Sequence, residues 1–352
     1  MPAFRPKAVR LLDVARAAGV SRVAAAHVLN GAGSASVRVS EATRLRVEAI
    51  ARELNYRPNR AAQQLRGMPS GLIGVIFDSQ WPTNLQRLSL LEQAGLAHGL
   101  RFMVGQVHGD PRLAARYLDD FADRGVQGIL CIVDLKTCFL GELQPLFAGR
   151  QNVIFHGRPL DEQGMCVRVD TEDGIRQSVA HLLERGRRRV GLLLSQSTDE
   201  FMTLRRRGYM AEFAARGLAV DPNLIWCAEV ESGVPNAEAL DQAIDRLIDD
   251  EQADAVIAAD DVWAVRLIQR LKARGYRVPQ DVAVVGYDNL DLGTVIEPSL
   301  TTIDQDHAAY ARAVIKMFRQ LIEQGSVEPA ARTAVIKPRL IVRDSTASET
   351  RE

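Results

Sequence analysis

Arg22, Val23, Ala26, His27 and Asn30 fall on one face of a short helical stretch, while Ala25, Val28 and Leu29 form an apolar stripe on the other. A polar, basic face on a helix that buries its opposite side can bind; nothing in it suggests covalent chemistry. The stretch is preceded by Leu11, Val14, Ala15 and Ala18 at helical spacing, by Gly19 as a stop, and by Ser21 as an N-cap. Two short helices joined at a glycine make a helix-turn-helix, whose second helix sets side chains on base edges in the major groove. An ordinary helical hairpin has the same spacing, so geometry leaves both readings open. Charge favours DNA. Residues 1–66 hold 12 basic and 4 acidic side chains, a net of +8, and the remaining 32 and 40 give −8, although the whole chain is neutral.

The elements that must hold this face are legible further along. Ser40 caps a third helix with Val47, Ile50, Ala51 and Leu54 inward, Pro58 closes the unit, and 67–71 read as a linker. After Gly71, apolar runs at Leu72–Phe77, Phe102–Val107, Gly128–Val133 and Val153–Phe155 alternate with helix-length amphipathic segments. A second series follows at Val190–Leu194, Leu224–Cys227, Ala255–Ala259 and Val282–Gly286. Such alternation predicts parallel sheets covered on both faces, here two subdomains of four strands each with a cleft between. Ligands of open α/β sheets sit at the carboxyl ends of the strands, which directs attention to the loops after Phe77, Phe155, Leu194, Ala259 and Gly286.

Enzyme chemistry finds little support. There is no GxGxxG after the first strand, no Walker loop, no GxSxG and no His/Glu metal pair. The six histidines are scattered, Asp260 and Asp261 start a helix and point different ways, and the four cysteines form no CxxC pair. No cofactor and no metal are expected. The first ten residues carry Arg5, Lys7 and Arg10 with no apolar run behind them, and no stretch is long and apolar enough for a bilayer. The expectation is a soluble cytoplasmic protein that meets no membrane.

The run Leu12-Asp13-Val14-Ala15-Arg16-Ala17-Ala18-Gly19-Val20-Ser21, then Val28-Leu29-Asn30-Gly31, Val39-Ser40-Glu41-Ala42-Thr43-Arg44 and Leu54-Asn55-Tyr56-Arg57-Pro58-Asn59, resembles the DNA-binding head of the lactose-repressor (LacI) family. The likeness continues through Ile73-Gly74-Val75, Arg205-Arg206-Arg207-Gly208-Tyr209, Val278–Asn289, Leu300-Thr301-Thr302-Ile303 and Pro338–Arg343. It implies an N-terminal all-α helix-turn-helix head on an α/β body of two parallel-sheet subdomains, like the periplasmic binding proteins. The implied divisions are 1–58 for the head, 59–71 for a hinge helix and linker, 72–345 for the effector-binding and dimerisation body, and 346–352 for a tail. The implied activity is operator binding by a homodimer, most simply as a repressor, under control of a small-molecule effector. The tail lacks leucine heptads, which points to a dimer and not a tetramer.

On the resemblance, Ser21, Arg22, Val23, His27, Asn30, Tyr56, Asn59, Ala62 and Leu65 are the DNA-binding positions. Arg22 suits guanine O6 and N7, Val23 suits a thymine methyl, and Leu65 is the wedge that kinks a base step from the minor groove. Ala24, Ala25 and Ala26 replace the family's hydroxyls, His27 stands where an Arg is usual, and the loop Gly31–Val39 is long. In the body Asp78, Arg205 and Asp261 fall at effector-contact positions, with Asp170 and Asp288 as further candidates. Trp81-Pro82-Thr83-Asn84 rebuilds the family's aromatic wall, with Trp81 placed to stack on a ligand ring or to cover the subdomain seam; His156 stands where an Asp is common, and Trp263 replaces a small or flexible residue beside Asp261. Carboxylates and a guanidinium around vicinal hydroxyls imply a sugar or sugar acid, with Arg205 taking the carboxylate. The competing function is an α/β enzyme acting on a sugar-like or phosphorylated small molecule.

Overall fold

The computed structural model describes residues 9–30, 39–57, 69–79, 82–108, 110, 112–133, 137–159, 163–196, 200–230 and 234–347. Asn59, Ala62, Leu65, Trp81, the side chain of Asn30 and most of the long loop after it lie outside the described residues. The chain divides into two compact units, Met1–Ser70 and Gly71–Glu352.

In the first unit α1 (Leu11–Ala17), α2 (Arg22–Asn30) and α3 (Glu41–Glu53) close on a small core. Val14, Ala15, Ala18, Ala25, Val47 and Ala51 are buried there, with Val28, Leu29, Ile50, Leu54 and Tyr56 packed around them. Four alanines in that core let the helices approach closely. Gly19 turns the chain between α1 and α2 with φ +63°, a conformation that costs glycine little. The Ser21 hydroxyl accepts from the Ala24 N–H at 3.1 Å, and the Ser40 hydroxyl from the Thr43 N–H at 3.3 Å, so both helices start on a satisfied donor.

The second unit holds two sheets. The first runs β11 (Thr333–Ile336), β5 (Met165–Val169), β4 (Val153–His156), β3 (Gly128–Ile132), β1 (Leu72–Phe77), β2 (Arg101–Gln106), all parallel. The second runs β12 (Arg339–Ile341), β10 (Thr301–Asp304), β9 (Ala283–Tyr287), β8 (Ala255–Ala258), β6 (Val190–Ser195), β7 (Ile225–Ala228), with only β12 antiparallel. Each sheet is covered on both faces. Helices α4 (Pro82–Leu96) and α12 (His307–Gln324) cover one side of the first and α5 (Arg112–Asp123) and α6 (Thr137–Phe147) the other. Helices α7 (Thr171–Glu184) and α8 (Glu200–Ala215) cover one side of the second and α9 (Ala237–Ile244) and α10 (Asp261–Ala273) the other, with the single turn α11 (Leu292–Val295) following β9.

The expectation of four strands per sheet, taken in sequence order, is corrected to six per sheet and an interleaved chain. Strands β5, β10, β11 and β12 lack the apolar runs that mark the others: β10 is Thr-Thr-Ile-Asp, and β11 and β12 are partly exposed at or near the sheet edges. The backbone crosses between subdomains three times, at Val169–Thr171, Asp304–His307 and Ile336–Arg339. Helix α12 follows a strand of the second sheet yet seats Tyr310, Val314 and Phe318 against the first. No described helix is long and apolar enough to cross a membrane.

Helices α7 and α8 touch at Gly208, where an added β-carbon would collide with the Glu172 carbonyl oxygen. The neighbouring Tyr209 hydroxyl donates to the Val190 carbonyl at 2.6 Å, fixing α8 to β6. Gly208→Ala therefore forces two helices apart, and the expected loss is about 1–3 kcal/mol of body stability. A urea midpoint equal to that of the wild type would contradict the close approach.

Candidate functional site

On the first unit, the N-terminal end of α2 presents Ser21, Arg22 and Val23 to solvent, and Val23 is 60% exposed despite its apolar side chain. An exposed valine beside an exposed arginine suits contact with base edges. Ser21 also serves as the α2 cap. His27 is half-buried, and its Nδ1 is buried without a hydrogen-bond partner. Tyr56 is half-buried against the core, and burial pushes its phenol pKa up.

In the second unit a line of polar side chains joins the two subdomains. Asn84 and Arg87 lie on the inward face of α4, Gln305 on the middle crossover, and Asp288 just after β9. The Asn84 amide donates to the Asp78 carbonyl at 2.9 Å. Arg87, 4% exposed, donates through Nη1 to Asn84 Oδ1 at 2.9 Å and through Nη2 to Gln305 Oε1 at 2.7 Å. Gln305 Nε2 in turn donates to Asp288 Oδ1. Sequence reading passed over Asn84, Arg87 and Gln305. The available signal was an arginine at i+3 from Asn84 and i−4 from Leu91, on a stripe that had to face inward.

Asp288 sits in unusual backbone. Its φ is +114° and that of Asn289 is +52°, two successive non-glycine residues in a region that costs of order 1–3 kcal/mol each. The turn is over-determined: Asp288 N–H donates to Ile303 O at 2.8 Å, Asn289 N–H to Thr302 Oγ1 at 3.2 Å, and Arg343 to Asn289 Oδ1 at 2.7 Å. Burial, then the charge of Asp260, pushes the Asp288 pKa up to about 7, against the pull of Arg205 and Arg87. Arg205, on α8, is 7% exposed with its guanidinium 4.6 Å from the Tyr287 ring centroid and its Nε without a hydrogen-bond partner.

The adjacent pair Asp260 and Asp261 separates by role. Asp260 caps α10 by accepting from the Trp263 N–H at 2.9 Å, and the charge of Arg205 reaches it. Asp261 is fully buried, accepting from Thr302 Oγ1 at 2.5 Å and from Leu290 N–H at 2.7 Å, so its carboxylate ties α10 to β10 and the loop after β9. Burial and Asp288 raise the Asp261 pKa well above the carboxylate range. Asp170 caps α7 through the Asp173 N–H at 3.1 Å. Trp263 lies in the core of the second subdomain.

The remaining wall is aromatic. His156 is 8% exposed, stacks on Phe201 with ring centroids 5.6 Å apart, and meets the edge of Tyr310 at 5.3 Å. It thus spans from β4 to α8, on opposite subdomains. Burial, with Arg87 and His307 beside it, holds the His156 pKa well below its ordinary value. The site therefore brings together Arg205, Asp288 and His156 from the sequence-derived set and adds Asp260, Arg87, Gln305, Phe201 and His307, whereas Asp170 is engaged in capping α7 and Asp261 in holding Thr302 and Leu290. Among the described residues no group of three His, Cys, Asp or Glu side chains is placed to hold a metal ion.

Residues 10–59 match the family profile described as bacterial regulatory proteins, lacI family, and residues 179–346 match that of a periplasmic binding protein-like domain. The HTH-type transcriptional regulator CelR of Thermobifida fusca is 30% identical over 351 residues, covering 94% of this chain and 96% of the relative. The lac repressor dimer bound to operator and the anti-inducer ONPF aligns with a TM-score of 0.78 at 26% identity, covering 97% of this chain and 100% of that one. A CelR–cellobiose complex aligns at 0.68 and 27% identity over the same shares of the two chains.

A raised carboxyl pKa has a definite thermodynamic sign. The folded state keeps the Asp288 proton that the unfolded chain releases near pH 4, so this contribution to stability is full at low pH and is lost as pH rises to about 7. Asp288→Asn is expected to gain stability relative to the wild type as pH increases across that window. Parallel pH–stability curves for the two proteins would contradict the assignment.

Proposed function

The chain belongs to the lacI family of bacterial regulatory proteins and is a DNA-binding transcription regulator, not an enzyme; from that premise we propose that it acts as a homodimeric repressor in the cytoplasm whose operator affinity is set by a sugar or sugar acid held in the body. Two heads sit in successive major-groove half-sites of a near-palindrome, with Arg22, Val23 and His27 at base edges and Ser21, Asn30 and Tyr56 in support. Asn59, Ala62 and Leu65 serve as the hinge, Leu65 as the wedge in the central minor groove. In the body, Arg205, Asp288 and His156 are the principal effector contacts, with Asp78 and Trp81 as further candidates, while Asp170 and Asp261 support the site through the helix cap and the turn they hold.

The observation that carries this reading is the polar line Asn84–Arg87–Gln305–Asp288, which joins the subdomains through the middle crossover. A ligand that engages Asp288 competes with Gln305 and alters what holds the subdomains together. That gives the two states different contacts, which is the requirement for an effector to shift them. Coupling of this kind is typically worth about 1–3 kcal/mol, a roughly 5- to 150-fold change in affinity. The operator-bound lac repressor and the cellobiose-bound CelR support the two halves of the proposal.

The test is selection of bound sequences from random duplex DNA at near-physiological salt, repeated across a library of sugars and sugar acids. A near-palindrome with a deformable centre, enriched or lost when one of those ligands is added, is expected. An enriched single half-site would remove the dimer, and enrichment indifferent to every ligand would remove the effector.

A further inference from the structure

Helices α4 and α12 lie side by side on the first sheet, and Arg87 ties them together at the middle crossover. Its Nη2 donates to Gln305 at 2.7 Å, and its guanidinium lies 5.6 Å from the Tyr310 ring centroid. Toward their C-terminal ends the same two helices hold a groove of about 370 Å³ between them. Ala94 and, just past the end of α4, His98 line one side, and the buried Ile315 lines the other. Along the rim α12 presents Arg312, Lys316 and Arg319, all exposed, at i, i+4 and i+7. Arg319 is paired with Glu323 at 3.0 Å, whereas Arg312 and Lys316 have no carboxylate partner among the described residues. One turn beyond Lys316, Oε1 of Gln320 is buried without a hydrogen-bond donor, a rare condition for a buried polar atom. Outside the head the chain carries a net of −8, so two unmatched cations beside an unsatisfied acceptor run against its general character.

We propose that this groove is a second ligand site, separate from the cleft between the subdomains, and that it takes a small phosphate monoester bearing hydroxyl groups. Arg312 and Lys316 stand one helical turn apart, about 6 Å along the axis, so both reach a single anionic group. A phosphate monoester brings close to two negative charges on that group near neutral pH, which matches the two cations, whereas a carboxylate matches only one. A ligand hydroxyl supplies the donor that Gln320 lacks. The groove lies at the lower end of the size range of small-molecule sites, about 300–1,000 Å³. It is smaller than one turn of a helix about 10–12 Å across, so a compact molecule fills it and a docked helix does not enter. Bound there, the ligand joins α4 and α12 at the ends opposite Arg87. The site stands whether or not the cleft holds a sugar.

The full chain is titrated calorimetrically with glycerol 3-phosphate, ribose 5-phosphate and adenosine monophosphate, each beside its unphosphorylated parent, and with glycerate. At least one monoester is expected to bind about tenfold or more tightly than its parent, the worth of one charge-assisted contact. Glycerate, with a carboxylate in place of the phosphate, is expected to bind about tenfold more weakly than glycerol 3-phosphate. The double variant Arg312→Gln, Lys316→Gln should lose the preference for phosphate while melting at the wild-type temperature, because both side chains are exposed. Lys337→Gln removes an exposed lysine at the third crossover and should leave binding unchanged. The proposal falls if no monoester exceeds its parent, or if Lys337→Gln weakens binding as much as the double variant, which would reduce the effect to net charge. It falls equally if the preference survives the double variant, which would put the phosphate on the basic head or in the cleft.

Discussion

The body depends on one buried cation. Arg87 reaches from α4 to Gln305 on the middle crossover, and through it to the strained turn at Asp288. A guanidinium at 4% exposure is tolerable only while its donors are occupied, because hydrogen bonds to a charged group contribute about 1.5–3 kcal/mol and their loss exposes a larger desolvation cost. Wherever the two subdomains move, they must keep Arg87, Gln305 and Asp288 satisfied, by each other or by a ligand.

The same crossover explains why the chain is interleaved. A subdomain made of consecutive strands would meet its neighbour through a single linker. Here three connections cross, and α12 is built on the first sheet while its N-terminal end, at Asp306 and His307, lies at the junction. A shift of one subdomain is therefore carried by backbone at three points, with Gln305, Asp288 and His156 close to them. The close approach of α7 and α8 at Gly208 packs together the two helices that cover one face of the second sheet.

Much of this was legible in the sequence, for physical reasons that differ by region. The head was readable because its core is local: Ala25, Val28 and Leu29 repeat at helical spacing, and Gly19 and Ser21 punctuate it. The central strands were readable because burial on both faces demands unbroken apolar runs such as Leu72–Phe77 and Val282–Gly286. Strands β10, β11 and β12 were not, because Thr-Thr-Ile-Asp and half-exposed edge segments carry no periodicity of their own. In the site, Arg205 and Asp288 came from the resemblance, whereas Arg87 and Gln305 stand 218 residues apart and meet only through the crossover. The division of work between Asp260 and Asp261 also needed coordinates, since one step along a helix start decides which carboxylate caps the helix and which accepts from Thr302.

The most direct measurement is operator affinity of Gln305→Leu against the wild type, without ligand, once an operator has been selected. The variant removes the link between Arg87 and Asp288 while preserving size and leaving the head untouched. The account predicts a change of about fivefold or more in specific affinity, the lower end of allosteric coupling, with unchanged salt-dependent binding to nonspecific DNA. Equal specific affinity in a variant that folds normally would show that the bridge does not communicate with the DNA-reading head.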